Sequence, residues 1–330
     1  MSETTATPTP LHRFAILTAC ATFALIFVGG LVTSTGSGLA VPDWPLAFGK
    51  LVPAWEGGIR FEFGHRVVAG AVVILTLALM AWTLRVEPRR WVRNCTLGAL
   101  ALIIVQAVLG GITVLLELPL PIAVAHAATA QAFFCLMVSI AIFTSPGWER
   151  AARRDERPSG LPLATLAGIT TAVIYVQILV GAVMRHLDAG LVIPDFPLSY
   201  GHLLPPWWNQ YVAVNFAHRC GALAVAAMVI WTAVRVLREH RDEPALRRTA
   251  LILLVMLAAQ VCLGALTIWT GRAVIPTTAH VAIGAAVLAT SLALTLRAYH
   301  IYGLARHAGA NNAAMRAAAA PRTVEHGASA

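Results

Sequence analysis

The sequence predicts an all-α integral membrane protein: eight transmembrane helices forming two tandem four-helix bundles, related by a pseudo-two-fold axis along the membrane normal. Three observations carry that prediction. The composition is 58% apolar and 12% charged, with a mean hydropathy of +0.74, which is not the make-up of a soluble domain. The apolar residues gather in eight runs of about 20 residues, the length that crosses a bilayer as a helix. The second half of the chain then repeats the first at an offset of 152 to 154 residues, which is a duplicated four-span unit. Four is even, so both halves enter the membrane in the same direction. The axis relating them therefore runs along the membrane normal and not in the membrane plane.

Residues 1–12 are polar and rich in Thr and Pro, and are expected to be a disordered N-terminus. The apolar run 14–32 is long enough to span, and the repeat gives it a counterpart in mid-chain. It is therefore read as a retained helix and not as a signal peptide. Spans are expected near 13–34, 61–84, 95–116 and 122–143 in an N-terminal half of 13–145. A linker of 146–160 follows, then spans near 161–183, 212–236, 249–270 and 275–297 in a C-terminal half of 161–298. An Ala-rich tail, 299–330, is expected to be disordered.

Of the 24 basic residues, 18 fall in the termini, the linker and the loops on one side. The positive-inside rule places that side, with both termini, in the cytoplasm. The net charge of +9 is thus a matter of membrane orientation and not of nucleic-acid binding. Loops 35–60 and 184–211 face outward, and their Pro, Gly and Trp content suits the headgroup level. The five cysteines, Cys20, Cys95, Cys135, Cys220 and Cys262, have no CxxC spacing and are read as buried small side chains.

The repeat is detailed. GGLVTSTGSGLA from Gly29 aligns with GAVMRHLDAGLV from Gly181. Pro42-Asp43-Trp44-Pro45-Leu46 aligns with Pro194-Asp195-Phe196-Pro197-Leu198, and His65-Arg66 with His218-Arg219. QAVLGGIT from Gln106 aligns with QVCLGALT from Gln260, and His126 with His280. Asp43 and Asp195 are expected to hydrogen-bond locally and shape their loops.

Of eleven histidines, only His65, His126, His218 and His280 lie inside apolar runs. They occupy the second, fourth, sixth and eighth spans at matched depth, about one turn from the outward end. A single membrane histidine is commonly a helix–helix hydrogen bonder. Four at matched depth in a two-fold repeat point instead to iron ligation, since paired histidines on facing helices of a bundle hold haem. Zinc is disfavoured, because two histidines supply half of a closed site and no thiolate joins them. A di-iron centre needs several carboxylates, and only Glu62 qualifies.

Glu62 stands three residues before His65, about one helical turn away on the same face. Its repeat counterpart is Asn215, which cannot take a proton. A titratable group in a membrane span is a functional candidate by default. The asymmetry assigns chemistry to the N-terminal site, with Glu62 as acid, base or electrostatic anchor, and a permanent cofactor to the C-terminal site. The alternative for Glu62 is a structural pair with Arg60 or Arg66. Arg66 and Arg219 are read either as contacts to haem propionates, which suit a guanidinium, or as interfacial anchors.

On the eight spans in two halves, the run LVTSTGSGLAVPDWPL, the stretch EFGHR and the histidines of spans four, six and eight, the chain resembles the haem A synthases of bacteria and mitochondria over about residues 13–297. The resemblance implies oxidation of the C8 methyl group of haem O, through successive hydroxylations and loss of water, to the formyl group of haem A for terminal oxidases. It implies haem O as substrate between His65 and His126, with Glu62 essential, and a haem b between His218 and His280. Many bacterial members carry a cysteine pair in the first outward loop. Loop 35–60 has none, which places the chain with the subtype lacking it. The implied location is the bacterial inner membrane. Implied partners are the bilayer, the haem O synthase that supplies substrate and an unidentified electron-transfer partner, with homo-oligomerisation left open. Two other functions fit the span pattern: a bis-haem cytochrome b-type electron carrier, in which Glu62 is dispensable, and a transporter or haem exporter, which holds no stable haem.

Overall fold

The computed structural model describes residues 9–150, 154, 156 and 160–303. Its helices are α1 (Thr9–Ser34), α2 (Ile59–Val86), α3 (Arg90–Leu115), α4 (Leu120–Phe143), a short α5 (Pro146–Arg150), α6 (Leu163–His186), α7 (Gln210–Glu239), α8 (Pro244–Trp269) and α9 (Val274–Tyr302). All but α5 are long and apolar enough to cross a membrane, and the chain is a multi-pass membrane protein. Among the described residues no β-strand forms; only two isolated bridges occur, one in each outer loop.

The helices reach further than the apolar runs that announce them. Helix α1 starts at Thr9, inside the segment expected to be disordered. There Leu11 is fully buried and the His12 ring meets the Ala141 carbonyl at 3.0 Å, so packing recruits an extra turn. Helix α9 continues to Tyr302, because Ala298 and Ile301 belong to the core formed with Leu163 and Leu246. It stops at Gly303, whose φ of 71° suits a residue without Cβ. Residues 9–12 and 299–302 are therefore helical, as is Pro146–Arg150 at the start of the expected linker. Residues 1–8 and 304–330, with 151–153, 155 and 157–159 of the linker, lie outside the described residues.

Each half closes on itself. Helices α1 to α4 pack in sequence and α4 returns to α1; α6 to α9 pack in sequence and α9 returns to α6. Between the halves α1 lies on α9, α4 on α6 and α4 on α9. Exchanging the halves leaves this pattern unchanged. The outward surfaces are apolar, with Ile74, Leu223 and Val255 about 70% exposed, as a lipid solvent requires. Buried threonines such as Thr18, Thr22, Thr76 and Thr83 donate to the carbonyl four residues back, which satisfies their hydroxyls without a second helix. The cysteines depart from expectation. Cys20, Cys220 and Cys262 are exposed, because their helix faces point away from the bundles.

Candidate functional site

The four membrane histidines are seated alike. A Cβ built on Gly29 would lie 3.1 Å from His65 Nε2, one on Gly110 3.0 Å from His126 Cε1, one on Gly181 2.9 Å from His218 Cε1, and one on Gly264 3.1 Å from His280 Cε1. Each glycine is on the helix just before that of its histidine: α1 for α2, α3 for α4, α6 for α7 and α8 for α9. The missing side chains let each imidazole press against a neighbouring backbone. Within each half the two rings are in electrostatic range, His65 of His126 and His218 of His280. The two histidines of each half thus lie in one closed bundle, on α2 and α4 and on α7 and α9.

Three of the glycines have a glutamine four residues earlier, on the same helix face. The Gln106 amide nitrogen is 3.2 Å from His126 Nε2, and that of Gln260 is 3.4 Å from His280 Nε2. The Gln177 amide nitrogen is 3.0 Å from His218 Nδ1 and donates to the His218 carbonyl at 2.7 Å. Thr129 donates to Gln106 from α4. Gly29 instead has Leu25 at that position, so His65 lacks an amide neighbour of this kind. These glycines and glutamines were not singled out as site residues from sequence. The signal was the recurrent Q-x-x-x-G, visible within the repeated QAVLGGIT and QVCLGALT.

Glu62 is 5% exposed in the first turn of α2. Its Oε2 accepts from the Val41 backbone N–H at 2.8 Å, and its Oε1 pairs with Arg66 at 2.6 Å. Asn215, 2% exposed, holds the second outer loop by donating to the Ala189 and Gly190 carbonyls at 2.8 and 3.2 Å. Its Oδ1 accepts from Arg219 Nε at 3.0 Å. The arginines complete the staple. Arg66 donates to the carbonyls of Asp43, Leu46 and Val41, and Arg219 to those of Leu198 and Ile193. Their guanidinium groups bond to loop backbone and to the residue one turn earlier.

The loops themselves are matched. Asp43 accepts from Phe48 N at 2.6 Å and Gly49 N at 2.8 Å; Asp195 accepts from Tyr200 N at 2.7 Å and Gly201 N at 2.8 Å. Phe48, Gly49, Tyr200 and Gly201 all have positive φ. The Gly49 and Phe48 N–H groups hold the Asp43 carboxyl below its ordinary range, and those of Gly201 and Tyr200 do the same for Asp195. Both aspartates shape their loops by accepting backbone N–H groups.

Comparison with known proteins decides the family. The model of the COX15-CtaA family, described as cytochrome oxidase assembly protein, matches residues 12–63 and 61–292. The chain belongs to this family. A relative named heme A synthase from Symbiobacterium thermophilum is 34% identical over 249 residues, covering 72% of this chain and 79% of the relative. Proteins of the same name are similar in Listeria monocytogenes, 27% identical over 79% of this chain and 86% of theirs, and in Shouchella clausii, 26% identical over 90% and 98%.

The residues present fit haem, the group the family implies. Each half carries two imidazoles seated on neighbouring backbones and within range of each other. His280 Nδ1 lies 3.2 Å from the Gln260 carbonyl; donation there makes Nε2 the lone-pair nitrogen, which would serve a metal once the Gln260 amide facing it gives way. His126 Nδ1 is buried without a hydrogen-bond partner among the described residues, while its Nε2 faces the Gln106 amide. Two such sites in one chain allow two redox centres within one membrane protein.

Proposed function

We propose that this chain is a haem A synthase, an oxidoreductase that takes haem O and oxidises its C8 methyl group to a formyl group. Family membership favours this over the bis-haem electron carrier. The observation that carries the assignment of roles is the one difference between two otherwise matched staples: Glu62 in the N-terminal half, Asn215 in the C-terminal half. His65 and His126 hold haem O as substrate. His218 and His280 hold a resident haem b, which supplies one-electron chemistry when bound. The halves are two bundles related by a pseudo-two-fold axis along the membrane normal. Both termini face the cytoplasm, in a bacterial inner membrane.

Converting a methyl to a formyl group releases protons as well as electrons. Among the described residues of α1 to α4, Glu62 is the single carboxylate within a helix, and it lies one turn from His65. Ionised, it is neutralised by Arg66 and by the Val41 N–H, which keep it fixed beside the substrate. In that position it can take up a proton or stabilise positive charge that develops on the substrate, work worth about two to four orders of magnitude in rate for a placed acid–base group. Asn215 keeps the same scaffold contacts without that capacity, so the C-terminal haem is held and not transformed. The haem O synthase and an electron-transfer partner complete the reaction system.

The test is co-expression of the chain with a source of haem O, followed by extraction and chromatography of the haems. Haem A should appear. Haem O recovered unchanged, with two haems bound per chain, would return the protein to the electron-carrier class.

A further inference from the structure

Arg185 stands in the last turn of α6, four residues after Gly181, on which the His218 ring is seated, and so on the same helix face. It is partly buried, and its Nε is shielded from solvent with no hydrogen-bond partner among the described residues. The nearest acid, Asp188, is paired with Arg272 and is turned to solvent. The other contact of Arg185 is a 3.2 Å hydrogen bond from its guanidinium to Ser34 Oγ. That hydroxyl already donates to the Gly30 carbonyl at 2.7 Å and accepts from Thr278 at 2.9 Å. Among the described residues Arg185 thus makes no direct ion pair, with Asp188 acting on it only through space, and a cation at the membrane's outer edge calls for a closer anion. In the N-terminal half the matching residue is Thr33, neutral and bonded to its own helix at the Gly29 carbonyl.

We propose that Arg185 is the carboxylate-binding cation of the C-terminal site, receiving a propionate of the haem held between His218 and His280. The role suits a guanidinium, whose planar donors match a carboxylate. It falls to Arg185 because Arg219, the arginine beside His218, is spent on the outer loop. The N-terminal half offers no equivalent cation, so its haem is held by fewer charged contacts, as suits a molecule that must enter and leave. This proposal rests on the haem reading above.

The experiment uses the full chain in detergent, produced under haem limitation. It carries His126→Ala, so that the C-terminal pair alone reports. The protein is titrated with haem b and with haem b dimethyl ester, following the Soret band. With Arg185 intact the free acid should bind about 10- to 100-fold more tightly than the diester, as expected for a hydrogen bond between charged groups. Arg185→Leu should bind both forms alike at the diester level, and Arg185→Lys should restore part of the preference. The midpoint potential of the resident haem should fall in Arg185→Leu, because a propionate left without its cation favours the oxidised state. Equal losses for both haems, or an undiminished preference for the acid, would mean a purely structural arginine and overturn the proposal. An absent Soret band with Arg185 intact would instead overturn the haem reading, and this proposal with it.

Discussion

The two halves solve one scaffolding problem with opposite polarity. In the first, a carboxylate accepts a loop N–H, and in the second an amide donates to loop carbonyls; each then binds the arginine one turn later. Position 62 and position 215 therefore do equal structural work, and what remains different is charge. The same contrast recurs nearby. Leu25 stands where Gln177 braces His218. Trp44 packs on Gly111, where a Cβ would come within 2.6 Å of the ring, while its counterpart Phe196 packs against Trp269 and Ala265 replaces the glycine. The C-terminal half has more polar support on its histidines and a partly buried cation, Arg185. The N-terminal half has the lone carboxylate and a histidine without an amide neighbour. These are the differences that the proposed division into a holding site and a reacting site rests on.

The sharpest way to break this comparison is Glu62→Gln, which keeps size and hydrogen-bonding capacity but removes charge. Haem A formation, measured by chromatography of extracted haems, should fall about 100-fold or more, with the resident haem spectrum intact. Normal haem A output would sink the catalytic assignment. The reverse exchange, Asn215→Asp, should leave the first site's chemistry alone. It sets a carboxylate against the Ala189 and Gly190 carbonyls, so it should destabilise the second loop by on the order of 1–3 kcal/mol, read as a lowered unfolding midpoint.

The next effect in size separates the two haems. His218→Ala should abolish the resident low-spin spectrum of the purified protein, whereas His65→Ala should preserve it and lose conversion. An unchanged spectrum in His218→Ala would refute the ligand assignment. Smaller again is Gly181→Ala, whose methyl group would sit 2.9 Å from the His218 ring. The ring must move, and resident haem occupancy should drop several-fold by absorbance, at a strain cost of roughly 1–3 kcal/mol. Full occupancy would show that the close seat on α6 is not needed.

The smallest effect concerns the outer loops. Asp43 and Asp195 have carboxyls held below the ordinary 3.8 by backbone N–H groups. A depressed folded value means their contribution is complete above that ordinary value and is lost as pH falls through the lower one. Tryptophan fluorescence from the loops should stay flat from neutral pH down to about 4 and change only below that. In Asp43→Asn the acid-induced change in the first loop should shrink. A transition near pH 6 would assign loop opening to another group.

The sequence by itself determined the eight spans, the duplication, the four histidines and the Glu62/Asn215 difference. These are legible because hydropathy and repetition are properties of the chain read in order, and because a titratable group in an apolar run has no local reason to be there. It placed the helix ends short, since α1 and α9 are extended by burial of Leu11, Ala298 and Ile301 and not by their own composition. It did not show which backbone carbonyls Arg66 and Arg219 bond, and it had no means of ranking Arg185 above other arginines. Those matters were decided by tertiary structure. Whether a guanidinium is spent on a loop carbonyl or left without a direct ion pair depends on which backbone folds over it, and whether a glycine matters depends on which ring arrives from the next helix. Such contacts join residues that sequence separates by tens of positions, so no local pattern contains them.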